Sequence, residues 1–112
     1  MTAKITAFDQ QIPTLLRYLE NGLRSGHSVR QCLEMIARDL PEPAADEVQQ
    51  VMAELDGGTA VPAALHNWLN RTPSEDLNLV VATFLVQFET GGNLADKFNL
   101  LGQIMAKRIR LT

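Results

Sequence analysis

Residue types able to do chemistry are thinly spread along this chain. The two histidines, His27 and His66, lie far apart, and no His, Cys, Asp and Glu cluster has metal-ligand spacing. Both read as surface or turn residues. The single cysteine, Cys32, cannot form an internal disulfide. It falls on the apolar face of an expected helix, so it reads as a buried structural thiol, in keeping with a reducing compartment. The adjacent acids Glu75 and Asp76 open a helix, where the dipole favours negative charge, and do not form an acid/base couple. Gly91-Gly92 is not a phosphate loop, because the later Gly-Lys-Ser/Thr is missing. No serine or cysteine has an evident base. No enzyme activity, metal or cofactor is expected.

The most informative stretch runs from Gln87 to Thr112. It joins two helical patterns through a tight turn. Gly91 or Gly92 is expected in the left-handed conformation that closes the first helix, and Asn93 is expected to cap the second. Asp96 places negative charge in that first turn. The helix ends in a basic cluster, Lys107, Arg108 and Arg110, and the chain stops at Thr112. This ending reads as a domain cut from a larger protein. The same turn has two weaker counterparts. Gly26, Gly58 and Gly91 are each followed by apolar residues three, seven and ten positions later. Any bundle of helical hairpins gives such matches, so they are slender evidence for duplication.

At 112 residues the chain is one domain, spanning 1–112 with an ordered core over about 8–111. Aromatics make up 5%, so the core must be mostly aliphatic. A net charge of −3 argues against a nucleic-acid binder, although a local basic patch at the C-terminus is compatible with that total. The segment from Met1 to Gln11 has no signal-peptide pattern. The longest apolar stretch, Leu77 to Phe88, is too short and interrupted to span a bilayer, which needs about 20 apolar residues. As given, the chain is expected to be soluble.

Apolar periodicity predicts an all-α antiparallel bundle of about six helices. The first covers Asp9 to Arg24, with its regular part starting near Pro13, and turns inward Ile12, Leu15, Leu16, Leu19 and Leu23. The second opens with a Ser28/Gln31 capping box and buries Val29, Cys32, Leu33, Ile36 and Leu40. The third runs from Pro43 to Leu55. The fourth, Ala60 to Asn70, is capped by Thr59 and has Pro62 in its first turn. The fifth runs from Ser74 to Thr90 and is apolar nearly all round, so it is either the central helix or is covered by a partner. The sixth runs from Leu94 to about Arg110, with Leu94, Phe98, Leu101, Met105 and Ile109 inward. The positions on which a partner is expected are Leu79, Val86 and Glu89.

Taken together, Leu15 to Ala37, the Glu54 to Leu65 turn, Asn70-Arg71-Thr72-Pro73 with Glu75-Asp76-Leu77, and Gln87 to Leu111 resemble the cytoplasmic domain of the type II secretion system F family. Within it, the likeness is greatest to the TadB-like branch, the inner-membrane platform proteins of Tad/Flp pilus assembly. The resemblance spans about Phe8 to Leu111, and its most specific part is Glu89-Thr90-Gly91-Gly92-Asn93-Leu94 with the basic end that follows. It implies an all-α domain on the cytoplasmic face of the bacterial inner membrane, flanked in the whole protein by membrane helices that this chain lacks. It also implies a non-catalytic platform that couples a secretion ATPase to pilin export. Expected partners are that ATPase, a sister platform protein and a second copy of the chain. Lys107, Arg108 and Arg110 would then be juxtamembrane on the cytoplasmic side, or simply cations favoured at a helix C-terminus. Two other readings compete: a free soluble helical adaptor unrelated to secretion, and an all-α enzyme or small-ligand protein, which would require a polar-lined cavity.

Overall fold

The computed structural model describes residues 6–90 and 93–111, with side chains described outside 88–90 and 109–111. Among these residues there is no strand. Six helices follow one another: α1 (Ala7–Arg24), α2 (Val29–Asp39), α3 (Ala44–Asp56), α4 (Val61–Arg71), α5 (Glu75–Thr90) and α6 (Leu94–Leu111). Gly91 and Gly92, on which the expected left-handed turn falls, lie outside the described residues, as does the environment of Ile109.

Local chemistry fixes most of the boundaries. At the end of α1, Gly26 has φ +90°, and at the end of α3, Gly58 has φ +100°. The hydrogen bonds around the two are equivalent. His27 N–H donates to Gly22 O and Gly26 N–H to Leu23 O, while Thr59 N–H donates to Glu54 O and Gly58 N–H to Leu55 O. These are Schellman closures, which a Cβ at the left-handed position would strain. Ser28 and Gln31 form the reciprocal capping box of α2.

Three helix starts differ from the sequence-based expectation. Helix α1 begins two turns before Pro13, because Thr6 and Asp9 form a capping box of their own, at 3.1 and 3.2 Å. The helix continues through Pro13 because Phe8 and Ile12, on the early turns, are core residues. Phe8 meets Trp68 of α4 with ring centroids 6.0 Å apart. Helix α4 is preceded by Ala60, with no side-chain cap, since Thr59 is used in closing α3. Helix α3 is capped from a distance. The Gln11 amide oxygen accepts the Ala44 N–H at 2.9 Å, and its Nε2 donates to Pro41 O at 2.9 Å.

The central helix is α1, not α5. It packs on α2, α3, α5 and α6, whereas α5 touches α1, α4 and α6. On one flank, Gly22 lies against Cys32 and Met35 of α2, and Tyr18 O–H donates to Asp39 at 3.1 Å. On the other, Arg24 pairs with Asp96 at 2.7 Å, Asn99 Nδ2 donates to Glu20 at 3.0 Å, and Gly102 of α6 sits on Leu16 and Pro13. As positions rise along α1, those met on α2 and α6 fall, so both neighbours run antiparallel to it. The core is aliphatic with Trp68, Phe8, Phe84 and Phe98. Helices α2, α3 and α4 are tied at their ends by Arg30 to Asp56 at 2.9 Å and by Arg71 to Glu54. Glu47 accepts from both Trp68 Nε1 at 2.8 Å and Thr72 Oγ1 at 2.7 Å.

Two predictions follow from this packing. A Cβ at Gly22 would lie 2.4 Å from Cys32 Sγ and 3.2 Å from Met35 Cε. Gly22→Ala should therefore cost about 1–3 kcal/mol by overpacking, against a helix-propensity gain of at most about 1 kcal/mol. In a Cys32→Ala background, which removes the sulfur, the same substitution should become neutral or stabilising. Urea denaturation of the four proteins measures this coupling, and additive effects would contradict the close contact.

The second prediction concerns acid. The Asn67 amide, with Arg71 beside it, holds the Glu54 carboxyl below its ordinary range, and Arg30 does the same for Asp56. Groups depressed in this way stabilise the folded state above the ordinary carboxylate pKa, and lose that contribution as pH falls through the lowered values. Stability should be level from about pH 7 to 5 and decline below about pH 4.5. A Glu54→Gln/Asp56→Asn variant should be less stable at neutral pH and lose less on acidification. Equal acid sensitivity in the two proteins would refute the assignment.

Candidate interaction surface

Among the described residues, no group of three or more His, Cys, Asp or Glu side chains could hold a metal ion. His27 and His66 are exposed, and Cys32 is buried, with its thiol pKa pushed up by desolvation. An open groove of about 440 Å³ between α1 and α2 is lined by Arg17, Tyr18, Asn21, His27 and Met35. Ser25 and His27 both line it, with no hydrogen bond between the two among the described residues.

What stands out instead is apolar surface. Four large aliphatic side chains are exposed among the described residues: Leu79 at 46%, Val86 at 57%, Leu100 at 54% and Ile104 at 54%. All four belong to the α5–α6 hairpin. Helix α5 buries Leu77, Val80, Val81 and Phe84, and α6 buries Ala95, Phe98 and Met105. The excess of apolar positions seen in the sequence of α5 is thus divided between the core and an open face. Of the positions on which a partner is expected, Leu79 and Val86 are on that face. The side chain of Glu89 lies outside the described residues.

Charge ties α5 to α6 at the open end of the hairpin and α6 to α1 near its turn. Asp76, 5% exposed in the first turn of α5, is paired with the Arg108 guanidinium in the last described turns of α6. At the other end, Asn93 Oδ1 accepts the Asp96 N–H at 3.1 Å and caps α6, while Asp96 also binds Arg24. Ser74 Oγ caps α5 by accepting the Leu77 N–H at 3.1 Å, and donates to Asp9 of α1 at 2.6 Å.

The basic C-terminal cluster therefore divides. Arg108 is committed to Asp76, Lys107 is exposed, and the side chain of Arg110 lies outside the described residues. Sequence reasoning gave Asp76 only a helix-dipole role. Its inner phase, alongside Leu77, Val80 and Phe84, was the signal that the carboxylate is buried and needs a partner.

Residues 15–112 match the model of a protein family described as type II secretion system (T2SS), protein F. The match takes in most of α1 and all of α2 to α6. No curated protein and no solved structure matches significantly.

The hairpin clamp makes a testable claim. Arg108→Ala leaves the buried Asp76 carboxylate without its cation and should destabilise the domain by about 1–3 kcal/mol. With Asp76→Asn added, the further loss should be well below the sum of the two single effects. A double-mutant cycle by chemical denaturation checks this, and strict additivity would mean the pair is not formed.

Proposed function

The chain belongs to the type II secretion system protein F family, and on that premise we propose that it is a protein-interaction domain of an inner-membrane platform protein. The family match over residues 15–112 carries this reading. Within the family we assign it to the TadB-like branch of Tad/Flp pilus assembly, on the resemblance of its helix-5/helix-6 turn and basic end. In this role the domain is non-enzymatic. It lies at the cytoplasmic face of the bacterial membrane, couples a secretion ATPase to pilin export, and meets a sister platform protein. No helix of the described residues is long and apolar enough to cross a membrane, so membrane attachment would come from segments other than these helices. Exposed apolar surface on one hairpin supports an interaction role, since contiguous apolar patches on folded domains mark binding sites. A free adaptor unrelated to secretion is not favoured by the family membership.

Deleting the gene in its source bacterium should abolish pili or secreted substrate, and the intact gene should restore them. A purified secretion ATPase from the same cell should be retained by the immobilised domain. Unchanged piliation and secretion after deletion would overturn the function. Restoration without ATPase retention would remove only the partner.

A further inference from the structure

We infer that the outer groove between α5 and α6 is the docking site for a single amphipathic helix of another protein, one whose apolar stripe is flanked by acidic residues. This inference rests on the reading of the domain as an interaction module and names the surface and the kind of partner. The Asp76–Arg108 ion pair marks the seam between the two helices and shows that they run antiparallel. With 3.6 residues per turn, Leu79 and Val86 lie roughly 60–80° beyond that seam, on the side away from Val80 and Phe84. Ile104 and Leu100 lie roughly 40–80° beyond it on α6, on the side away from Phe98 and Met105. Both pairs therefore border one outer groove, with half-buried Thr83 and Leu101 nearest the seam between them.

Heights along the helices agree. Leu79 is three residues past Asp76, and Ile104 is four before Arg108. At about 1.5 Å per residue they are level to within about 2 Å. Val86 and Leu100 form the second tier, roughly 8 Å further on, which suits an occupant of two to three helical turns.

Charge selects the occupant. Lys97 and Lys107 are exposed on the same outer side of α6, one on each side of Leu100 and Ile104, about 15 Å apart along the axis. Neither forms an ion pair among the described residues, whereas Arg24, Arg30, Arg38, Arg71 and Arg108 all do. Glu75 is level with Lys107 on the opposite bank, and Lys97, roughly 20° from the seam against roughly 100° for Lys107, is the lysine nearer the groove. A helix with Asp or Glu at both ends of an apolar stripe of about two turns complements this pattern. A second copy is a poorer occupant. Four half-exposed side chains supply only a fraction of the roughly 800 Å² per partner buried in a stable dimer. An anionic membrane is poorer still, because the chain carries a net charge of −3.

The probe is a fluorescein-labelled helical peptide with Leu at i, i+4 and i+7, flanked by Glu, together with a counterpart carrying Lys in place of every Glu. Fluorescence polarisation with the 112-residue chain should show the acidic peptide binding at least tenfold more tightly, about 1.4 kcal/mol. Lys97→Glu should weaken it about tenfold, and Ile104→Asp should abolish binding, both with unchanged thermal melts; Gln50→Glu on α3 should have no effect. Absent binding, equal affinity for both peptides, or undiminished binding by the two variants would overturn the inference. So would self-association removed by Ile104→Asp, or binding to phosphatidylglycerol vesicles in preference to the peptide. In the deletion strain, Lys97→Glu and Ile104→Asp should fail to complement. If they complement as well as the wild type, the groove is refuted and the secretion reading stands. If the deletion itself is silent, the secretion reading falls, and the peptide measurements still judge the groove.

Discussion

Everything in this domain depends on α1 being clasped from two sides at once. Its inner face carries Phe8, Ile12, Leu15, Leu16 and Leu19, all buried. Such a face would ordinarily serve one neighbour. Gly22 lets α2 approach closely, since a Cβ there would lie 2.4 Å from Cys32 Sγ, while on the other flank Gly102 lies against Leu16 and Pro13, where a Cβ would make ordinary contacts of 3.6 to 3.9 Å. Close backbone approach on both flanks brings polar residues at the edges of the stripe within reach of the neighbours. Tyr18 reaches Asp39 on one side, and Glu20 reaches Asn99 on the other. Polar groups thus fix register where apolar packing alone would permit sliding.

This arrangement explains which features were legible in the sequence. Helix ends are written in local chemistry. The glycine closures, the Ser28/Gln31 box and the proline-rich turn before α3 each act within a few residues, and the six helices fall close to their expected limits. The Thr6/Asp9 box is equally local, but the rule against proline inside a helix points to a regular start near Pro13 instead. That rule yields here because burial of Phe8 and Ile12 offsets one missing hydrogen bond.

Long-range features had no such signature. Gln11 caps the start of α3 from 33 residues away, and Ser74 reaches Asp9 across 65. The sequence leaves open whether α5 is central or partner-covered for a related reason. Counting apolar residues around α5 measures total hydrophobicity and does not distinguish residues buried in the core from residues left for another molecule. Helix α1 has fewer apolar positions, but they are concentrated on one face and supplemented by glycine, so it packs on more neighbours.

The candidate surface follows from the same division of labour. Charges and caps that fix the α5–α6 hairpin use its ends: Asp76 with Arg108 at one, Asn93 and Asp96 with Arg24 at the other. Core contacts use its inner side. On the outer side Leu79, Val86, Leu100 and Ile104 remain exposed. Exposed aliphatic residues on a loop would have to be ordered on binding, at a cost in conformational entropy. Held on two helices, they are already in place. A rigid apolar stripe bounded by lysines would therefore meet a partner with little reorganisation, and those lysines would set how steeply binding depends on salt.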